Sequence, residues 1–207
     1  MAFEIKLSKD LTIDIRRCPH LLIVGKGDNN SNFAEQLEMQ IDTFHEVINK
    51  DIGDTCNTEC IGVDFCLDGC FCEHKEQLMN ERYELLFALN FNNIEQFNEH
   101  FKYEDMRYHV LFASLPTQKQ TTFSLKQILM KGRGVGIYVV MFINDITDLG
   151  DNVDLLDMFP AKVIYKANDT DESVLLTGYK GAESLRDNEF MFCELGKQPV
   201  IYESELL

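Results

Sequence analysis

The stretch HLLIVGKGDNNSNF, residues 20–33, decides the fold of this chain. Its apolar run, Leu21 to Val24, is typical of a strand that is buried on both faces inside a parallel sheet. A glycine, a polar turn-forming segment and then a helical pattern follow the run. A phosphate-binding loop occupies the same position, between a strand and a helix. The stretch therefore predicts an α/β fold and raises the question of whether this loop binds a nucleotide.

Strand-like and helical patterns alternate along the rest of the chain. Further buried strands are predicted at CIGVDFCL, YHVLFASLP, IYVVMFIND and AKVIYKA. Helices are predicted at NFAEQLEMQIDTFHEVIN, EHKEQLMNERYELLFALNFNNIEQFNEHF (with a break near Asn90 to Asn93), FSLKQILMKGRGVG and DESVLLTG. Hairpins are predicted at EIKLSKDLTIDI, with a turn at Ser8 to Asp10, and at EFMFCELGKQPVIYES. This alternation predicts a doubly wound, mostly parallel sheet with helices on both faces.

Length and composition limit the class of protein. The 207 residues contain no long linker, repeat or low-complexity segment, so one domain over 1–207 is predicted. A net charge of −16 argues against nucleic acid and against anionic membrane surfaces, because both are bound through Lys and Arg. No run of about 18 apolar residues is present, and the N-terminus lacks a signal-peptide core, so export is not expected.

Five of the seven cysteines form a cluster. They are Cys56, Cys60, Cys66, Cys70 and Cys72. Reduced thiols are expected in a chain without an export signal. A zinc site with His74 as the fourth ligand is the alternative, but the Cys-x-x-Cys pairs typical of structural zinc are missing. No metal site is therefore predicted.

Four segments carry a resemblance to a known family. They are IDIRRCPHLLIVG at 13–25, GRGVGIYVVMF at 132–142, FPAKVIYKANDTDESVLLTGYKGAESL at 159–185 and EFMFCELGKQPVIYES at 189–204. In this order they resemble the motor domain of FtsK/SpoIIIE-type ATPases, from about Leu11 to the end of the chain. The likeness is good near both termini and poor in the middle. The chain is most similar to the degenerate third ATPase domain of type VII secretion coupling proteins of the EssC/EccC type.

The resemblance implies a RecA-like P-loop NTPase core and, for the family, ATP and Mg²⁺ as cofactors. It also implies that this domain is the C-terminal piece of a longer, multi-domain, membrane-anchored ATPase. The domain is accordingly expected on the cytoplasmic side, attached to the cell membrane through the rest of that protein.

The loop itself departs from the working motif G-x-x-x-x-G-K-[ST]. Aligned from the strand-ending glycine, the degenerate nucleotide-binding position comprises Gly25, Lys26, Gly27, Asp28, Asn29, Asn30, Ser31 and Asn32. Asn30 replaces the second glycine, Ser31 the phosphate-binding lysine and Asn32 the magnesium-binding hydroxyl. Asp28 adds negative charge where phosphates would lie. ATP and Mg²⁺ are therefore not expected to bind here.

The second nucleotide motif is also missing. A working ATPase of this class has two acids at the end of an apolar strand, but YHVLFASLP ends in Ala113 and Ser114. The chain is therefore expected to lack catalytic residues. The alternative is a weak P-loop enzyme in which Lys26 and an acid such as Asp145 or Asp148 replace the lost groups.

Binding remains as the predicted role. The resemblance implies secreted helical proteins of the WXG type as partners, together with neighbouring FtsK-like ATPase domains of the same chain. An amphipathic helix needs an apolar groove, for which the candidate residues are Phe87, Leu89, Phe91, Ile94 and Phe97. A place in the core is the other interpretation of these five residues. A purely architectural role, including packing in a ring of copies, is the alternative to substrate binding.

Overall fold

A computed structural model describes residues 4–26, 33, 37, 40, 70–101, 106, 108–114 and 119–204, apart from the side chains of 70–74, 112, 114 and 119–121. Two compact units are present. The first is formed by Met1–Asp64 and Met141–Leu207, and the second by Phe65–Val140. In the described residues, no helix is both long and apolar enough to cross a bilayer.

The described strands are β1 (Glu4–Ser8), β2 (Leu11–Asp14), β3 (His20–Val24), β4 (His109–Ser114), β5 (Ile137–Ile143), β6 (Ala161–Ile164), β7 (Glu189–Glu194) and β8 (Val200–Glu203). The described α-helices are α1 (Cys70–Ala88), α2 (Ile94–His100), α3 (Lys119–Lys131) and α4 (Thr170–Thr177). Three 3₁₀ segments complete the described elements, at Gly132–Val135, Ile146–Met158 and Ala182–Ser184. Every strand predicted within the described residues is present.

The first unit begins with the predicted hairpin. β1 and β2 pair antiparallel, with Ile5 opposite Ile13. Their side chains alternate between buried and exposed, as the period-2 pattern predicts for a strand with one face on the core. The turn lies between Ser8 and Leu11, where it was expected.

The main sheet of the first unit has the order β5-β3-β6-β7-β8, to which β5 contributes its C-terminal residues. β3 and β6 are parallel, with Leu21 opposite Ala161 and Val24 opposite Ile164. β6–β7 and β7–β8 are antiparallel, so the predicted C-terminal hairpin is confirmed. All five residues of β3 are buried, as its unbroken apolar run requires. The sheet is mixed, and with its helices it confirms the α/β class.

In the second unit, α1 packs against α3, and β4 lies beside the N-terminal part of β5. The predicted helix break is confirmed at the end of α1, where Asn90 has φ 60° and the side chain of Asn93 accepts a hydrogen bond from the backbone N–H of Gln96. The predicted glycine closure follows α3. Gly136 there has φ 73°, and a Cβ on it would lie 2.7 Å from Cδ1 of Ile94.

The 3₁₀ segment Ile146–Met158 was not predicted. Gly150, with φ 50°, interrupts it, so its apolar residues do not follow a single helical period. Two predictions fall largely outside the described residues: the strand at CIGVDFCL and most of the helix after β3. Of that helix, Phe33, Leu37 and Gln40 are described; all three are helical, and Phe33 and Leu37 are buried.

Candidate functional site

The candidate site lies in the first unit, where the loops after β3, β5 and β6 meet. The backbone N–H of Gly25 donates to the carbonyl of Ile143 at 3.1 Å. The N–H of Tyr165 donates to the carbonyl of Val24 at 2.9 Å. These bonds bring the carboxyl ends of the three strands together. Ligands of open α/β sheets bind at such an edge.

Lys26 is held at this edge by two neighbouring loops. Its Nζ donates to Oδ1 of Asn168 at 2.6 Å and lies 3.4 Å from Oδ2 of Asp145. The side chain is 59% exposed, so it lies across the loops with its end partly in water. The positive charge of Lys26 is thus paired with the negative charge of Asp145 in the same chain.

Asp145 also caps the 3₁₀ segment that follows β5. Its Oδ1 accepts the backbone N–H of Thr147 at 3.0 Å and a hydrogen bond from the Thr147 hydroxyl. The hydroxyl bond is the main reason that the pKa of Asp145 is lowered, and Asn168 and Lys26 lower the pKa further. Asp145 is therefore ionised, and its oxygens are used by the protein itself.

Asp148 is engaged in the same way. Its Oδ2 accepts both the backbone N–H of Asn144, at 2.7 Å, and the Asn144 side-chain amide, at 2.9 Å. Asn144 and Asp145, the first two residues after β5, are thus both fixed by local hydrogen bonds. The acids proposed as replacements for lost catalytic groups both have structural partners.

Glu172 connects the loop after β5 with the loop after β6. It is buried in α4, and its carboxylate accepts the N–H of Ile146, at 2.8 Å, and the N–H of Asn168. One side chain therefore fixes both the start of the 3₁₀ segment and the turn that presents Asn168. Sequence reasoning missed Glu172 and Asn168, and the only signal for them was the polar turn ANDTDES after a buried strand.

The segment after α4 has its own polar network. Ser173 is fully buried; its hydroxyl donates to the carbonyl of Tyr179 at 2.8 Å and accepts the N–H of Ala182 at 3.0 Å. Glu183 accepts the N–H of Gly181 at 2.8 Å. The pattern LLTGYKGAESL thus encodes a hydrogen-bonded turn, which gives this part of the family resemblance a structural explanation.

Asp14 precedes β3 and shapes the turn that leads into it. Its carboxylate accepts the backbone N–H of Arg16 at 2.9 Å and two bonds from the Arg16 guanidinium, at 3.1 and 3.0 Å. The hydrogen bonds from the Arg16 side chain are the largest reason that the pKa of Asp14 is lowered. The acid therefore acts as a turn former.

The remaining predicted site residues are the rest of the loop after β3, the end of β4 and the cysteine cluster with His74. Of the degenerate loop, Gly25 and Lys26 are described, and 27–32 lie outside the described residues. Ala113 is fully buried in β4, in the second unit, where Ser114 ends the strand. The cysteine cluster and His74 lie outside the side chains that the structure describes. Among the described side chains, no group of three potential ligands is arranged to hold a metal.

The five groove candidates divide between surface and core. Ile94 and Phe97 are buried in the second unit, as the core interpretation predicts. Phe87 is 88% exposed, Leu89 is also exposed, and Phe91 is half-buried with its ring 5.7 Å from that of Phe97. The residues available to a partner are therefore Phe87, Leu89 and part of Phe91.

The two described cysteines are free and buried. They are Cys18 and Cys193. Burial raises the pKa of both thiols, that of Cys193 to about 11. Both groups are therefore protonated near neutral pH and are poor nucleophiles.

Comparison with known proteins identifies the fold. No protein-family model matches the sequence, and no curated protein matches it. Among solved structures, the pCW3 conjugation coupling protein TcpA, in its monomer form with ATPgS, matches 99% of this chain and 65% of its own, with a TM-score of 0.68 and 16% identity. The cytoplasmic domain of the Thermomonospora curvata type VII secretion ATPase EccC matches 97% of this chain and 28% of its own, with a TM-score of 0.68 and 14% identity.

A third structure holds a peptide. It is Thermomonospora curvata EccC (ATPases 2 and 3) in complex with a signal sequence peptide, which matches 94% of this chain and 38% of its own, with a TM-score of 0.62 and 13% identity. The chain thus spans less than two thirds of each of these proteins. It has the α/β, RecA-like fold of FtsK-like ATPase domains, as the four sequence segments predicted.

Proposed function

We propose that this chain is a non-catalytic FtsK-like domain of a type VII secretion ATPase, and that it binds or helps to recruit secreted helical substrates or regulates neighbouring ATPase domains. The observation that carries the proposal is the pairing of Lys26 with Asp145 and Asn168 at the nucleotide edge. The lysine that the weak-enzyme alternative would use for phosphate contacts a carboxylate instead.

Electrostatics oppose a nucleotide at this edge. A phosphate that approaches Lys26 also approaches the ionised Asp145. Its repulsion by Asp145, about 4 kcal/mol for like charges about 4 Å apart at an effective dielectric constant near 20, offsets its attraction to Lys26, so the pair offers a phosphate no net attraction. Displacing Asp145 would remove the cap of the 3₁₀ segment as well. ATP and Mg²⁺ are therefore not cofactors of this domain in the proposal.

The loss of the second motif supports the same conclusion. β4 ends in Ala113 and Ser114, whereas magnesium binding and water activation need acids at this position. The acids considered as replacements, Asp145 and Asp148, accept hydrogen bonds from backbone and side-chain donors of the protein. Lys26, Asp145 and Asp148, the residues that the alternative of a weak P-loop enzyme invokes, all have partners within the protein.

The partner is proposed by analogy and from surface chemistry. An EccC relative was solved with a signal sequence peptide. On this chain, Phe87 and Leu89 are exposed apolar residues on and just after α1, and they offer anchors for an amphipathic helix. In the proposal, the domain lies on the cytoplasmic side of the membrane and is attached through the rest of its parent protein. Its oligomeric state is then that of the parent protein.

The test is titration of the 207-residue chain with WXG-type secretion substrates, with and without Mg-ATP. Binding should not depend on nucleotide, and Phe87→Ser should weaken it about tenfold or more, because a few anchors dominate such interfaces. Phe123→Ser, at an exposed phenylalanine of α3, is the matched control and should leave binding unchanged. An affinity that requires ATP would contradict the proposal. Absence of binding to every such substrate would favour the architectural alternative.

A further inference from the structure

We propose that the open edge of β8, together with the cleft beside it, binds an extended segment of another protein that carries apolar residues and a basic residue. The surface belongs to the first unit and is distinct from the nucleotide edge. The proposal is independent of the proposed function, since it concerns an extended ligand rather than a helical one.

The edge of β8 is available for pairing. Within the described residues, β8 is the last strand of the sheet order, with β7 on one side only. Val200 is 48% exposed and Ile201 is 52% exposed, although they point to opposite faces of the sheet. A strand with apolar side chains exposed on both faces is the kind of edge to which another strand adds.

The register shows which backbone groups face outward. The N–H of Ser204 donates to the carbonyl of Asn188 at 2.7 Å, and Glu203 lies opposite Glu189. Hydrogen-bonded and non-hydrogen-bonded pairs alternate along an antiparallel ladder. The N–H and C=O groups of Ile201 and Glu203 therefore point away from β7 and towards an added strand.

A cleft of about 480 Å³ lies against one face of this edge. Apolar side chains line part of it, namely Leu11 and Ile13 of β2, Phe192 of β7, and Val200 and Tyr202 of β8. Charged side chains, the acids Glu4, Asp14 and Glu194 and the bases Arg17 and Lys197, line the rest together with Thr12, Cys18 and Gln198. The volume falls within the range of about 300–1,000 Å³ that holds small ligands and anchoring side chains. Residues of an added strand that lie opposite Val200 and Tyr202 point to this face, so they should be apolar.

The charges select the sign of the partner. Glu189 and Glu203 are directly opposite each other, an arrangement of like charges that is unfavourable across a strand pair. Glu189 lies 3.8 Å from Arg186, whereas Glu203 is exposed. A lysine or arginine of an added strand, placed opposite Glu203, would compensate its charge.

The same charges argue against a second copy of this chain as the occupant. Each chain carries a net charge of −16, so two copies repel one another. Charge repulsion therefore disfavours pairing of β8 with a second copy of this acidic chain and favours a neutral or basic segment. The occupant to which the structure points is a basic, alternating apolar segment of a different protein.

The test uses a defined probe on the 207-residue chain. The probe is the fluorescently labelled peptide acetyl-Thr-Lys-Val-Thr-Val-Thr-amide, and its binding is followed by fluorescence anisotropy. A matched peptide is methylated on the backbone nitrogens of its lysine and its central threonine, the residues that would donate to β8. We expect saturable binding of the first peptide and a loss of about tenfold or more for the second, since tenfold corresponds to about one ladder hydrogen bond.

A charge reversal tests the occupant. Glu203→Lys should lower the affinity for the lysine-containing probe at least severalfold. It should raise the affinity for a probe with Glu in place of Lys. Because this variant replaces a like-charge pair by an opposite one, its melting temperature should not fall. Equal binding of the methylated peptide, or no binding at millimolar probe, would overturn the proposal. Concentration-dependent dimerisation that Glu203→Lys alters would also overturn it, since the edge would then pair with its own copy.

Discussion

The ammonium of Lys26 lies 3.4 Å from the carboxylate of Asp145, across the loops that follow β3 and β5. Asn168, after β6, completes the contact at 2.6 Å. The cation that follows the strand-ending glycine Gly25 thus connects loops of the protein. Stability and ligand binding are both expected to reflect this arrangement.

Mg-ATP should stabilise the protein very little. A ligand present at its own Kd stabilises a protein by about 0.4 kcal/mol. For a chain of this size, 1 kcal/mol shifts the melting temperature by about 2–4 °C. Millimolar Mg-ATP should therefore raise the melting temperature by about 2 °C or less in differential scanning fluorimetry. Micromolar affinity in calorimetry would refute the degenerate-site interpretation.

Asp145→Ala should be more destabilising than Lys26→Met. The first removes a capping carboxylate, which costs about 0.5–2 kcal/mol. The second removes a largely exposed ion pair and one hydrogen bond, which together should cost about 1 kcal/mol or less. Urea unfolding measures the free energy of unfolding of both variants. Asp151→Ala, which removes an exposed acid, is the control. If Lys26→Met lowered the free energy of unfolding more than Asp145→Ala, the loops would depend on the lysine ammonium rather than on the capping carboxylate.

Glu172→Gln should destabilise the protein by about 1–3 kcal/mol, because the two backbone N–H groups use different carboxylate oxygens and the amide replaces one of these acceptors by an NH₂ donor. The melting temperature should fall by about 2–12 °C. Asp171→Asn, at the exposed neighbour in α4, is the control and should change it little. Equal melting temperatures for Glu172→Gln and wild type would show that Glu172 does not fix the two loops.

Stability should fall with acid partly through Asp14. Its pKa is lowered in the folded state, so its contribution is complete above the unfolded value of about 4 and is lost as the pH falls through the lower folded value. The difference in melting temperature between wild type and Asp14→Asn should therefore be largest near pH 6–7 and should shrink below pH 4. A difference that grows with acid would have the wrong sign for this linkage.

Alanine substitutions at two glycines distinguish the cost of a left-handed backbone from the cost of a steric clash. Gly178, with φ 79°, has no atom within 4 Å of an added Cβ, so Gly178→Ala should cost about 1–2 kcal/mol from the left-handed backbone alone. Gly136, with φ 73°, adds contacts of 2.7 Å to Ile94 and 3.0 Å to Tyr108. Gly136→Ala should therefore cost about 1–3 kcal/mol more than Gly178→Ala. Denaturant unfolding of the two variants compares them directly.

Local patterns in the sequence determined most of the elements. The unbroken apolar run of β3, the period-2 hairpins and the helix break near Asn90 are set by contacts between near neighbours, so they were predictable. The order of the four family-like segments likewise predicted the RecA-like fold. The segment Ile146–Met158 was missed, because Gly150 interrupts its periodicity.

The sequence also predicted which nucleotide-binding groups are absent, since a missing lysine, hydroxyl and pair of acids can be read from the aligned motif without coordinates. Only the tertiary structure decided what replaced them. Lys26, Asp145 and the turn that holds Asn168 and Glu172 belong to three separate segments, and the placing of β5, β3 and β6 side by side in one sheet brings their loops to one edge. Likewise, the direction of the free backbone groups of β8 depends on its register with β7. Such contacts join residues far apart in the chain, where no local periodicity records them.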